Sequence, residues 1–78
     1  SDIRLKENIK PLGKINGVNI YSWDWNEKGR ELGGGQPTVG VIAQEVVKTR
    51  PDAVRLEKGY YVVDYNKVLG KKWSLFNG

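Results

Sequence analysis

Apolar and polar positions alternate most regularly in the segment from Val18 to Trp25. Val18 and Ile20 fall on one face of this segment, whereas Tyr21, Trp23 and Trp25 fall on the other. Successive side chains of a β-strand point to opposite faces of the sheet, and branched and aromatic residues are enriched in strands. We therefore predict a strand over residues 18–25.

A helical period replaces this alternation in the segment from Val39 to Arg50. Its apolar residues form one stripe, and polar or charged residues occupy the opposite side, which is typical of an amphipathic helix. Pro51 follows, and the residue before a proline is disfavoured in the α region. The sequence thus predicts a central helix that ends at about residue 50.

The remaining N-terminal half is less regular. Asp2 to Leu12 carries apolar residues at a spacing that suits a short helix or an irregular amphipathic segment, and Pro11 and Gly13 are expected to end it. Residues 26–37 are rich in glycine, which loses much backbone entropy in regular structure, so we predict a surface loop there.

A β-hairpin is predicted in the C-terminal half. Residues 53–56 and 60–65 are suited to strands, and the turn between them ends in Gly59, which can adopt a positive φ. The elements together indicate one small α+β domain over residues 1–78, in which the central helix packs on a short antiparallel sheet.

Composition restricts both stability and chemistry. The 78 residues include no cysteine, histidine or methionine. Disulfides and the usual zinc sites are therefore excluded, no cofactor is expected, and self-association is the expected additional source of stability. A serine nucleophile in this chain would need lysine as its base. The absence of methionine also leads us to expect that a longer chain precedes Ser1.

Charge and hydropathy argue against two classes of partner. The net charge of +4 is spread along the chain, and the only adjacent basic pair is Lys71 and Lys72. Such a distribution is typical of a solvated surface, so no nucleic-acid partner is expected. No run of about 18 apolar residues occurs, so no membrane span is expected either.

Three blocks of sequence resemble the endosialidase-type intramolecular chaperone family, which is also described as the self-cleaving peptidase S74 family. The blocks are residues 1–9, residues 40–46 with Pro51, and residues 59–60 with 63–65. Their order and approximate spacing also match. The resemblance covers nearly the whole chain, from residue 1 to about residue 69.

The resemblance implies a specific function. Members of the family form the C-terminal ends of phage tailspikes, tail fibres and endosialidases, and a similar domain occurs in myelin regulatory factors. They help three chains fold together and then cut themselves away. For this chain the resemblance implies a homotrimer whose client and substrate is its own upstream fibre chain, in a virion precursor in the host cytoplasm.

The family's cleavage position falls on Ser1, and its serine/lysine pair falls on Ser1 and Lys6. A lysine can serve as a base only if burial or a neighbouring cation lowers its pKa, and Arg4 and Lys10 are the candidate neighbours. Five positions apart on one helix, Ser1 and Lys6 would be separated by about 140°. Ser1 is therefore expected to precede any helix, on extended chain.

Asp2 and Asn8 are candidate supporting residues. Asp2 suits a helix N-cap as well as a role at the site. Asn8 or backbone N–H groups are candidates for stabilising the oxyanion, and the sequence does not choose between them. Gln44 and Glu45, on the polar face of the central helix, are expected to have structural roles, either in an intersubunit network or as solvated side chains.

The aromatic residues Tyr21, Trp23 and Trp25 support the main alternative function, a glycan- or receptor-binding module at the tip of a tail fibre. Aromatic side chains at strand spacing more often belong to a core or a subunit interface, which is the interpretation we favour.

The C-terminal segment departs from the family. Asp64 or Asn66 is suited to cap a final short helix running to about Trp73. Family members usually continue into long C-terminal helices, whereas Gly70 interrupts the helical pattern here. We therefore expect no long trimeric coiled coil, and trimer contacts from globular faces or from the C-terminal aromatic residues.

Overall fold

The computed structural model describes residues 1–33 and 37–70. The elements, in chain order, are a 3₁₀ turn at Ile3–Leu5, β1 at Lys6–Ile15, β2 at Val18–Trp25, α1 at Glu27–Gly33, β3 at Val39–Gly40, α2 at Ala43–Thr49, a second 3₁₀ turn at Pro51–Ala53, β4 at Val54–Glu57, β5 at Tyr60–Val63 and α3 at Tyr65–Val68. One antiparallel sheet has the order β1-β2-β3, and β4 pairs with β5. The protein is an α+β domain, as the sequence predicts.

The strand predicted from alternation is confirmed as β2, and it contributes to the apolar core. Ile20 of β2 is 1% exposed. It belongs to a cluster of buried residues from β2, the β3–α2 connection, α2, the second 3₁₀ turn and the end of α3, which comprises Ile20, Val41, Val46, Ala53, Val68 and Leu69. The first sheet is thereby attached to α2 and α3 through one contiguous core.

The helix or irregular segment predicted for residues 2–12 is wrong. Only Ile3–Leu5 turns, as a single 3₁₀ turn, and the chain then forms the ten-residue strand β1. Strand β1 pairs with β2 from Lys6, opposite Trp25, to Ile15, with two register shifts between. These irregularities disrupt the period-2 alternation that would have identified a strand.

The surface loop predicted for residues 26–37 is wrong in part, because Glu27–Gly33 forms α1. The Asn26 side chain accepts a hydrogen bond from the Gly29 N–H at 2.9 Å, which satisfies a donor at the helix N-terminus. Gly29 is buried, and a Cβ there would clash with the Leu5 carbonyl oxygen. This glycine therefore reflects close packing of a helix on the first 3₁₀ turn, not a loop.

The central helix is confirmed but is shorter than predicted. Its first residues as predicted, Val39 and Gly40, instead form β3 and pair with Ser22 and Tyr21 of β2. Helix α2 then runs over Ala43–Thr49 and ends before Pro51. Pairing with β2 thus removes the first turn from the helix.

The predicted hairpin is confirmed as β4 and β5, whose turn contains Lys58 and Gly59 at φ 53° and 82°. Asp64 caps α3, because its side chain accepts from the Asn66 N–H. Helix α3 occupies Tyr65–Val68, and the predicted end near Trp73 lies outside the described residues.

Candidate active site

Ser1 is held at its backbone by the segment that joins β3 to α2. Its α-amine donates to the Val41 carbonyl at 3.1 Å, and the Ala43 N–H donates to the Ser1 carbonyl at 2.8 Å. This pair of bonds is the pattern of a parallel strand bridge between Ser1 and Ile42. The position of the Ser1 backbone is consequently fixed by main-chain contacts.

The first 3₁₀ turn brings Lys6 back to Ser1. The Leu5 N–H donates to the Asp2 carbonyl at 3.2 Å as the turn closes, and Lys6 then begins β1. Its Nζ donates to Ser1 Oγ at 2.5 Å and to the Asp2 carbonyl at 3.4 Å. The structure thus brings together the serine and lysine singled out in the sequence, through a tight turn and not along a helix face.

Aromatic rings of β2 surround the Lys6 ammonium. Lys6 is 6% exposed, and its Nζ lies 4.1 Å from the centroid of the Trp23 ring and 5.7 Å from that of Trp25. The two rings pack edge to face, with their centroids 5.5 Å apart. A cation above an aromatic face is stabilised electrostatically, but the same rings exclude the water that would hydrate it.

Burial lowers the pKa of Lys6 to about 8, although its hydrogen bond to the Ser1 amino group and the charge of Asp2 act in the opposite direction. Of the two causes left open by the sequence, burial is the one that lowers this pKa, and the candidate cations Arg4 and Lys10 do not contribute. A lysine with such a pKa is neutral in about a tenth of molecules at pH 7, far more often than a lysine with the ordinary pKa. It can therefore accept a proton from a hydroxyl.

The Ser1 α-amine shares this environment. Burial, followed by the charge of Lys6 and the hydrogen bond with it, lowers the pKa of the amine to about 4. The amine is therefore neutral at pH 7, and the site does not hold two adjacent positive charges.

Asp2 is fully buried and anchors the N-terminal segment. Its carboxylate accepts hydrogen bonds from the Arg4 backbone N–H and guanidinium, from the Gln44 amide at 2.7 Å and from the Tyr61 N–H at 2.9 Å. Burial alone would raise the pKa of Asp2, but these hydrogen bonds hold it well below its usual range. Asp2 is also the N-cap of the first 3₁₀ turn. It ties this turn to α2 and β5.

Asn8 is not brought to Ser1 by the structure. Its side chain donates to Asp24 at 3.0 Å in an exposed pair on the sheet surface. Asn8 also has φ 54° and lies at the first register shift of β1. Its side chain is therefore engaged with β2, and the geometry does not support an oxyanion role.

The two polar residues of α2 have different contacts. Gln44 accepts from the Ile3 N–H at 2.9 Å while donating to Asp2, so it braces the site segment from α2. Glu45 accepts from the Tyr21 hydroxyl at 2.7 Å on the exposed side of the sheet. Both side chains thus make structural contacts, and Gln44 makes them directly beside the candidate site.

The aromatic residues of β2 do not form an open stacking platform. Trp23 is 5% exposed and lies against Lys6, Trp25 is half-buried, and the Tyr21 hydroxyl is bonded to Glu45. In the part of the chain that the structure describes, no helix is long and apolar enough to cross a membrane, and no cluster of three or more acidic, histidine or cysteine residues is suited to a metal ion.

A partly buried serine hydrogen-bonded to a buried lysine, in a small α+β domain, defines a class of candidate serine hydrolases without histidine. The family model for the chaperone of endosialidase, Peptidase_S74, matches residues 1–55, which is more than half of the chain. The chain belongs to this family, and membership supports an intramolecular chaperone role with peptidase-related self-cleavage. No curated protein and no solved structure matches the chain.

Proposed function

We propose that this chain is the C-terminal intramolecular chaperone of a phage tail fibre or tailspike, and that it releases itself by one cut immediately before Ser1. The observation that carries the proposal is the 2.5 Å separation between Lys6 Nζ and Ser1 Oγ, in a site where burial lowers the pKa of Lys6 to about 8. Membership of the chaperone of endosialidase family supports it.

The proposed reaction uses one proton acceptor and one nucleophile. Neutral Lys6 takes the proton of the Ser1 hydroxyl, and Oγ attacks the carbonyl carbon of the residue before Ser1. The C–N bond breaks, the Ser1 nitrogen receives the proton from Lys6, and the client is left as an ester on Oγ. Water then hydrolyses the ester, which restores the hydroxyl and leaves a carboxylate at the client's C-terminus.

Lys6 is expected to be a better base before cleavage than after it. In the cleaved domain, the hydrogen bond to the Ser1 amino group raises the pKa of Lys6 against the effect of burial. Before cleavage the Ser1 nitrogen belongs to an amide, which does not accept that hydrogen bond. The precursor therefore favours neutral Lys6 more strongly, which suits a reaction that occurs once.

The chaperone part of the proposal follows from the entropy of fibre assembly. An intertwined fibre must align three chains before its non-local contacts form, and a terminal domain that forms a homotrimer first makes this step effectively intramolecular. Removal of the domain afterwards leaves the fibre kinetically trapped. We place this sequence of events in the tail-fibre precursor, in the host cytoplasm during virion assembly.

The rival function, glycan or receptor binding at a fibre tip, gains no support from the aromatic residues. Trp23 is buried against Lys6 and is unavailable to stack on a sugar ring. We therefore retain the chaperone with self-release as the function that the geometry supports best.

The test uses a precursor that carries client sequence before Ser1. Wild type is expected to split on a denaturing gel, and the mass of the released domain should place the new N-terminus at Ser1. Ser1→Ala and Lys6→Ala should remain full length while still assembling. Lys10→Ala, which removes an exposed lysine from the same strand, is the matched control and should split. Cleavage that persists in Ser1→Ala would refute the mechanism.

A further inference from the structure

The backbone of Ser1 fixes the direction of any chain that precedes it. Ser1 donates to the Val41 carbonyl and accepts from the Ala43 N–H, in the parallel pattern described above. In a parallel ladder, the residue two positions earlier continues the pattern on the same side. Its backbone would meet the carbonyl of Val39 and the N–H of Val41.

The edge of β3 that faces away from β2 has the groups that this pairing requires. The Thr38 carbonyl accepts from the Trp23 N–H of β2 at 2.9 Å. Backbone groups alternate in direction along a strand, so those of Val39 and Val41 face the opposite edge. On that edge the Val41 N–H donates to the Tyr65 hydroxyl at 3.1 Å. The Tyr65 hydroxyl therefore accepts from the Val41 N–H, which is the donor that an added strand would use.

A cleft of about 610 Å³ lies along this edge, and its walls include Ser1, Val39 of β3 and Val62 of β5. Within the described residues, β3 pairs only with β2 and β5 only with β4, so both strands border the cleft with an unpaired edge. The Asp2 carboxylate accepts from the Tyr61 N–H, which places the chain at the β5 wall one residue after Ser1. Chain upstream of Ser1 would continue into this cleft.

We propose that the client segment immediately before Ser1 binds in this cleft as an extended strand parallel to β3. The second residue before Ser1 donates to the Val39 carbonyl and accepts from the Val41 N–H, which displaces the Tyr65 hydroxyl. This inference rests on the proposed function, because a precursor is required to supply the segment. The pairing holds the Ser1 amide N–H on the Val41 carbonyl and so fixes the plane of the scissile peptide beside the Ser1 hydroxyl.

The chemistry of the cleft also defines the segment that it accepts. Most of its lining side chains are apolar, including Trp23, Trp25 and Leu32. The Trp23 indole N–H is buried without an acceptor among the residues that the structure describes. An apolar lining favours an extended segment with apolar side chains. The proposed bond to the Val39 carbonyl also requires a free N–H two positions before Ser1, which excludes proline at that position.

The test compares two proline substitutions in the client part of the full precursor. Proline at the second residue before Ser1 removes the N–H that faces Val39, whereas proline at the third removes one that faces away. We expect the first substitution to slow single-turnover cleavage about tenfold or more, and the second to change it less than about threefold. A second measurement is amide exchange at Val39, whose N–H faces the same edge and donates to the carbonyl of the fourth residue before Ser1 where the parallel ladder continues. This exchange should be slower in the uncleaved Ser1→Ala precursor than in the cleaved domain.

The outcomes separate this inference from the function on which it rests. Equal rates for the two proline variants, or unchanged Val39 exchange between uncleaved and cleaved forms, would overturn binding along β3. A wild-type precursor that does not split, or a Ser1→Ala precursor that does, would overturn the proposed function instead.

Discussion

The apolar core is buried, and the N-terminal cluster of Ser1, Asp2 and Lys6 is buried or partly buried, but burial has opposite energetic signs in the two regions. Ile20 represents the core, and burying a side chain of its type contributes about 1.5–3 kcal/mol. Lys6 and the Ser1 amine lose hydration when buried, which appears as lowered pKa values. The comparison shows that the core supplies stability, part of which offsets the unfavourable burial of two amino groups.

Within the cluster, the buried anion Asp2 and the buried cation Lys6 have different partners. Asp2 forms an ion pair with Arg4 at 2.7 Å. Lys6 forms no ion pair with another described residue, and its Nζ contacts the Ser1 hydroxyl and the Asp2 main-chain carbonyl. A carboxylate facing Lys6 directly would favour its protonated form. The charge of Asp2 still acts to raise the pKa of Lys6, but burial outweighs it and the pKa stays lowered.

The largest expected effect tests whether the cluster needs a lysine that can lose its proton. Lys6→Arg retains the positive charge, but a guanidinium stays protonated, so cleavage of the precursor should fall by about 10²–10⁴-fold. Lys10→Arg, on the exposed part of β1, should cleave at the wild-type rate. In wild type, the single-turnover rate should rise with pH and level off below about 8, because the pKa of Lys6 is about 8 in the cleaved domain and lower in the precursor. Near-normal cleavage by Lys6→Arg would contradict a lysine base.

The next effect tests the buried anion. Asp2→Asn removes the negative charge, and its amide hydrogens would face the donors of Arg4, Gln44 and Tyr61. The free energy of unfolding should therefore fall by about 2–3 kcal/mol. Asp24→Asn, at an exposed carboxylate bonded to Asn8, is the matched control and should change it by less than about 0.5 kcal/mol. Urea unfolding of the cleaved domain measures both variants. Equal losses would show that Asp2 is not an anchor.

The two regions also differ in how far the sequence predicts them. β2, α2 and the β4–β5 hairpin follow from periodicity, because each buries one face or ends at a proline or a turn glycine. Strand β1 does not, since most of it is exposed and its register shifts twice. The signal that identifies it is Asn16-Gly17, with φ 54° and 77°, a pair characteristic of a two-residue hairpin turn.

The candidate site is predicted from the sequence only in part. The pairing of Ser1 with Lys6 follows from the family resemblance, and their separation of five residues allows a local turn to bring them together. The contacts of Asp2 with Gln44 and Tyr61 span 42 and 59 residues, and no local pattern encodes them. The contribution of Trp23 and Trp25 to the burial of Lys6 is likewise unpredictable without the pairing of β1 with β2.

A smaller effect concerns the Ser1 amine after cleavage. The pKa of this amine is about 4 in the folded domain, whereas its ordinary value, which applies to the unfolded chain, is 8.0. Between pH 4 and pH 8 the unfolded chain therefore binds more protons than the folded domain. The free energy of unfolding should therefore rise with pH, by roughly 2 kcal/mol from pH 6 to 8. Lys6, lowered from 10.5 to about 8, should extend the rise above pH 8.

An Nα-acetylated domain is the control for this prediction, because acetylation replaces the amine by an amide like that of the precursor. The acetylated domain should lose most of the rise between pH 6 and 8 and retain the rise toward higher pH that is due to Lys6. Thermal unfolding of the two forms across pH provides the comparison. Parallel curves would show that the amine is not buried in its neutral form.

The smallest expected effect on the free energy of unfolding comes from a substitution in the apolar core. Ile20→Val removes one methylene from the cluster beneath α2 and should lower the free energy of unfolding by about 1 kcal/mol. Since this cluster contains neither Ser1 nor Lys6, the pH at which cleavage levels off should stay unchanged. Leu56→Val, at a side chain that is 61% exposed, should alter neither quantity. A shift in the cleavage profile of Ile20→Val would mean that core packing sets the pKa of Lys6, and that the two regions are not energetically separate.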